Sequence, residues 1–225
     1  MEIDKEIFDN SDYKEYFNSK MKKDSSLEAT LKQALETRKF EIELYWKRTT
    51  YFWAFIASSF AGYFVVLKLT EFKEFTIIVS MIGLLFSIGW YLANRGSKYW
   101  QKNWETHVDL LEDELIGPLY GTILNPIPIK LSKITGEYPF SVSKINQILS
   151  FSILLIWIYI LFYSFDYVFD IYQDEVVVKY INLFSFLTIF IWTLILLIKN
   201  AETGLSKDIK NPKSENEPRL VSRKK

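Results

Sequence analysis

Few side chains in this sequence are of a type that does chemistry, and none of them has the company that chemistry needs. The single histidine is His107. A metal ion or an acid–base pair would want a second donor about one helical turn away, and the neighbourhood offers Asn103 and Glu114 at best. His107 therefore reads as a helix-surface residue in a charged stretch. The run Glu112-Asp113-Glu114 invites comparison with a divalent-cation site. Consecutive helical positions point about 100° apart, however, so three carboxylates in a row do not converge on one ion. They read as a solvated or salt-bridged face. The interfacial site of a lipid-modifying enzyme would have to use His107, Glu105 and Asp109, and these continue the same surface pattern. Cysteine is absent, which excludes disulfides, thiolate metal sites and cysteine nucleophiles. No phosphate-binding loop, dinucleotide fingerprint or nucleophile elbow occurs. The residues point to no enzyme, no metal and no cofactor.

The elements that carry these residues are organised by a bilayer. The 225 residues include 27 basic and 27 acidic side chains, so no net charge draws the chain to nucleic acid. Almost half of the residues are hydrophobic, and they are segregated from the charges. The runs Tyr51–Leu67, Phe75–Ala93, Ile145–Phe165 and Ile181–Ile198 contain no charge. Each approaches the roughly 20 helical residues that cross a hydrocarbon core of about 30 Å. A soluble bundle would show polar residues every second turn, and these runs show almost none. Four transmembrane helices are predicted, at about 51–69, 75–93, 145–165 and 181–198. Lysine and arginine number 10 in residues 1–50, 6 in 94–144 and 8 in 199–225, whereas the two short connections hold only Lys68, Lys73 and Lys179. That bias places both termini in the cytoplasm. The spans lack the buried charges of proton relays and pumps and the broken helices of transporters, which argues against coupled transport.

The first two spans extend beyond the bilayer. The pattern Ser25-x-x-Glu28 is a capping box, followed by Leu27, Leu31, Leu35, Ile42 and Tyr45 near one face. No glycine or proline lies between Ser25 and Ala61, so one helix of about 65 Å is expected from about residue 26 to 69. The second span continues through Trp100, Trp104, Val108, Leu111 and Leu115 to a stop at Gly117-Pro118. Gly96 is its weak point. The turn at 70–74 makes the two helices antiparallel neighbours. Residues at equal depth then have numbers that sum to about 143, since both helices rise 1.5 Å per residue. That register pairs Arg38 with Glu105, Glu41 with Lys102 and Lys32 with Glu112. Trp100 and Trp104 lie too far out for headgroups and are expected to pack between helices, within one chain or between subunits. The expected organisation is an N-terminal cytoplasmic segment at 1–25 and a long helical hairpin at 26–117. A cytoplasmic loop at 118–144, a second hairpin at 145–198 and a flexible basic tail at 199–225 follow. Residues 1–23 lack the apolar core of a signal peptide. The tail end, Arg219 with Arg223-Lys224-Lys225, offers a contact to anionic lipid; a solvated tail is the plain alternative.

The positive signal in the spans is for helix association. Ala54, Ser58 and Gly62 recur at spacing four in the first, and Ser80, Gly83 and Ser87 share a face in the second. Small residues on one stripe let backbones approach where lipid gives no hydrophobic drive. The stripes either close the hairpin on itself or join subunits.

The stretches Arg38-Lys39-Phe40-Glu41-Ile42-Glu43 and Tyr45-Trp46-Lys47-Arg48 lead into the first span. With Gly96-Ser97-Lys98-Tyr99-Trp100-Gln101-Lys102-Asn103-Trp104-Glu105 after the second, they make residues 30–120 resemble the RipA-like octameric membrane proteins of the bacterial inner membrane. The resemblance implies a homo-oligomer with cytoplasmic helical extensions and brings no catalytic residue with it. The reading is an all-α integral membrane protein with four transmembrane helices, the first two extended into a cytoplasmic hairpin stalk. It acts as an oligomeric scaffold or sensor in the inner membrane, with the lipid bilayer and further copies of itself as partners. The alternative is a pore-forming effector, for example in phage defence or stress response.

Overall fold

The computed structural model describes residues 26–117, 119–120, 122–124, 138–171, 175–201 and 220–222. Ser25, the proline- and glycine-rich loop at 125–137 and the basic residues Arg219, Arg223, Lys224 and Lys225 lie outside the described residues. The architecture is helical: α1 is Leu27–Val66, α2 Phe75–Leu115, α3 Val142–Phe169 and α4 Glu175–Asn200, with a 3-10 turn at Thr70–Phe72 between α1 and α2. All four helices are long and apolar enough to cross a membrane. A short antiparallel ribbon joins β1 (Thr122–Leu124) to β2 (Leu220–Ser222), with Thr122 opposite Ser222.

The helix ends follow local chemistry. At the start of α1 the cap is Ser26, whose Oγ accepts from the Ala29 N–H at 3.1 Å. The cap is thus one residue later than the Ser25 box, and the position that would return the reciprocal bond is Ala29, not a glutamate. α2 passes Gly96 without a break. One exposed glycine costs only about 1 kcal/mol against a helix of this length. The left-handed Gly117 (φ 76°) then ends the run. Ser141 caps α3 by accepting from the Lys144 N–H, and Asp170 closes it in the left-handed region (φ 49°).

The chain divides into two compact units. The first comprises Met1–Ile42, Trp100–Pro126 and Pro218–Lys225. Its core sets Leu31 and Ala34 of α1 against Val108 and Leu111 of α2, flanked by Leu27 and Leu35. This is ordinary apolar burial.

The second unit, Glu43–Tyr99 with Ile127–Glu217, is built the other way round. On α2 the buried positions are Thr76, Ser80, Gly83, Ser87, Trp90, Asn94 and Ser97, alternating spacings of four and three. On α3 they are Asn146, Ser150, Ser152, Trp157, Ile160 and Ser164. Outward point Ile78, Met81, Leu85 and Leu92 of α2 and most large side chains of α4. Lipid solvates the bulky apolar groups, so the small and polar face is the one that packs. Tyr63, Trp157 and Ile160 form a buried cluster, with Phe60 and Val79 against it.

Candidate functional site

In the second unit one group of buried polar side chains is bonded together at one end. Asn146, 4% exposed, donates from Nδ2 to the Tyr45 hydroxyl (2.7 Å), the Thr49 hydroxyl (3.3 Å) and Asn94 Oδ1 (3.2 Å). Asn94 Nδ2 donates back to the Asn146 carbonyl at 3.4 Å, and Gln147 Nε2 to the Asn94 carbonyl at 3.5 Å. One side chain of α3 thereby ties α1 to α2. Tyr45 and Thr49 sit four residues apart on one face of α1, which is why both reach it. Arg48 adds a bond from α1 to Ser97 of α2 at 2.9 Å.

Further along the spans, Trp157 of α3 is fully buried and lies over Gly83. Its ring contacts Phe60 at 4.5 Å and Tyr63 edge-on at 6.2 Å between centroids. A Cβ at Gly83 would fall 2.4 Å from the indole. Glycine is required there because the ring occupies the space of a side chain. Tyr63 meets Ser164 hydroxyl to hydroxyl at 3.1 Å. Ser59, Ser80, Ser87, Ser150 and Ser152 return their hydroxyls to carbonyls of their own helices. Thr193 of α4 reaches Ser152 of α3 at 2.8 Å. The indole N–H groups of Trp90 and Trp157 are buried with no partner among the described residues. Lipid would offer them none either, so packing forfeits no bond to water.

The two small-residue stripes therefore have different fates. Ser80, Gly83 and Ser87 are buried, and Gly83 is covered by Trp157 of the same chain. On α1, Gly62 faces Val79 with room to spare (3.9 Å to a Cβ), while Ala54 and Ser58 are exposed.

In the first unit Arg38 stands 4.0 Å from Glu105, with its guanidinium 5.5 Å from the centre of the Tyr120 ring. Both partners of the ion pair are partly exposed, so it is worth about 0–1 kcal/mol. Glu112 is fully buried, and both its oxygens accept from the Tyr120 N–H, at 3.1 and 2.8 Å. The left-handed Gly117 lets the chain double back far enough to make that bond. Lys32, expected opposite Glu112, is exposed; Glu41 is half-buried and Lys102 exposed. Trp104 is half-buried beside His107 (5.4 Å between centroids), and burial holds the imidazole below its ordinary pKa. Trp100 is 53% exposed, because the buried face runs through Gln101, Val108 and Leu111, one position round the helix.

These arrangements hold helices together. Among the described residues no three histidine or carboxylate side chains gather as a metal site. Sequence reasoning missed Asn94, Asn146 and Thr49 and took Tyr45 as part of the apolar face of the first helix. The signal that could have found them is one asparagine near the end of the second span and one near the start of the third, at like depth.

A family model described as the octameric membrane protein family (8xMP) matches residues 28–166. No curated protein and no solved structure matches the chain.

Proposed function

The chain belongs to the octameric membrane protein family, and on that premise we propose that it is a non-enzymatic scaffold or sensor that works as a homo-octamer in the bacterial inner membrane. The family match carries the assembly. What supports a scaffold is the use made of polar groups in the spans. The Asn146 cluster, the Tyr63–Ser164 pair, the Ser152–Thr193 pair and the serine back-bonds all join helix to helix or helix to itself. Side chains committed to packing suit a rigid assembly unit better than a conduction path or a reaction centre.

In this proposal both termini are cytoplasmic, following the lysine and arginine bias. The unbroken α1 and α2 carry the hairpin beyond the bilayer as a stalk, aligned by Arg38 and Glu105. Subunits meet on the exposed α1 face at Ala54 and Ser58. Gly83 takes no part, being covered by Trp157. The basic tail touches anionic headgroups.

Proteoliposomes test the proposal with two readouts. They should hold an imposed ion gradient as well as protein-free vesicles do; a gradient that collapses in proportion to protein would favour the pore-forming effector instead. In intact cells, a cysteine at position 170 should react with an impermeant maleimide and one at 102 should not. The reverse pattern would overturn the orientation.

A further inference from the structure

The polar contacts of the second unit fix which helix ends lie together. Asn146 bonds to Tyr45, Thr49 and Asn94, Arg48 bonds to Ser97, and the Ser141 N–H donates to the Ala201 carbonyl at 2.8 Å. The start of α3 and the end of α4 are thus adjacent. So are the start of α3, residues 45–49 of α1 and residues 94–97 of α2. The described residues at this end, within 43–50, 94–99, 138–146 and 197–201, include six basic side chains and one acid, Glu43. At the opposite end Lys68, Lys73 and Lys179 are outnumbered by Glu71, Glu74, Asp166, Asp170 and Glu175.

Each of the four helices contributes one exposed cation to the first end: Lys47 from α1, Arg95 from α2, Lys144 from α3 and Lys199 from α4. Each cation lies within four residues of the end of its uncharged run, a rise of no more than about 6 Å along the helix. Arg95 rests over the Tyr91 ring at 5.7 Å, and Trp46 is exposed beside Lys47. Long cationic side chains rooted where hydrocarbon ends, with amphipathic rings next to them, reach the phosphate layer rather than a partner in solution.

We propose that Lys47, Arg95, Lys144 and Lys199 form a basic collar that binds the phosphate headgroups of anionic glycerophospholipids around the subunit. The proposal needs neither the scaffold reading nor the octamer. It differs from the tail contact in its residues.

Quenching of tryptophan fluorescence by brominated lipids measures it. With the full chain in mixed vesicles, brominated phosphatidylglycerol should be preferred over brominated phosphatidylcholine at low salt. The preference should be about fivefold, the effect of one basic side chain near an anionic surface. It should fade towards parity in high salt, where exposed charges are screened. Lys47→Gln, Arg95→Gln, Lys144→Gln and Lys199→Gln together should abolish it, whereas exchanging lysine and arginine at the same four positions should preserve it. Should the fourfold variant fail to insert, each of two doubles, Lys47→Gln with Lys144→Gln and Arg95→Gln with Lys199→Gln, should roughly halve the preference. Neutralising Lys68, Lys73 and Lys179 at the opposite end should leave it unchanged. Equal quenching by both lipids in the wild type would overturn the collar. So would a preference that survives the neutralised collar, or one lost with the opposite end.

Discussion

Gly83→Leu should prevent α3 from docking on α2, and even Gly83→Ala should lower the melting temperature in detergent measurably. A Cβ at position 83 would stand 2.4 Å from Cε2 and 2.5 Å from Cδ2 and Cζ2 of Trp157. The indole has nowhere to go, since it is fully buried against Phe60 and Tyr63. Overpacking of this kind costs about 1–3 kcal/mol for a methyl group, and more for a leucine. Trp157→Ala alone should cost about 3–5 kcal/mol. The two small-residue variants combined should cost less than their sum, because the truncated ring makes room for the new methyl. Gly62→Ala, with 3.9 Å to Val79, is the control and should melt no lower than the wild type, since alanine is the better helix former. If Gly83→Leu instead shrinks the particle while leaving each subunit's stability intact, Gly83 faces a neighbouring subunit and the intrachain assignment is wrong.

Asn146→Leu should be the most damaging polar substitution in the bundle. Its side-chain amide serves Tyr45, Thr49 and Asn94 at once, and all four side chains are buried. Single hydrogen bonds between membrane helices average about 0.6 kcal/mol. Removing a shared donor strands several buried acceptors together, which raises the expected loss to about 2 kcal/mol. Tyr45→Phe takes away one acceptor and leaves the others satisfied, so about 1 kcal/mol is expected. Melting curves of the two variants in one detergent give the comparison. A larger loss for Tyr45→Phe than for Asn146→Leu would mean that Asn146 is not the hub.

Much of the helical layout was legible because a bilayer writes itself into sequence plainly. The four uncharged runs locate α1 to α4 to within a few residues at most ends, since charge is excluded from hydrocarbon whatever the packing. The resemblance drawn from residues 30–120 also agrees with the family match, which reaches further, to residue 166, and takes in most of α3. Packing was harder to read. A stripe such as Ser80, Gly83 and Ser87 announces a close approach without saying whose helix approaches, and the answer was Trp157, more than 70 residues away. Hydrophobic periodicity searches for the apolar face, whereas the packed face of α2 in the second unit is mostly small and polar. Asn94 and Asn146 were overlooked for that reason. Trp100 was expected between helices, within one chain or between subunits, because it lies too far out for headgroups; in the single chain it is half exposed and Gln101 next to it holds the buried face. The pairing of residues 220–222 with 122–124 had no local signature, because three-residue strands so far apart in sequence leave no periodicity to detect.

The central claim, that this chain is an oligomeric membrane scaffold unit, is tested most directly by native mass spectrometry of the full-length protein released from lipid nanodiscs. Eight chain masses in one particle are the expected result. A particle of one or two chains, stable across detergents and at high protein concentration, would contradict it.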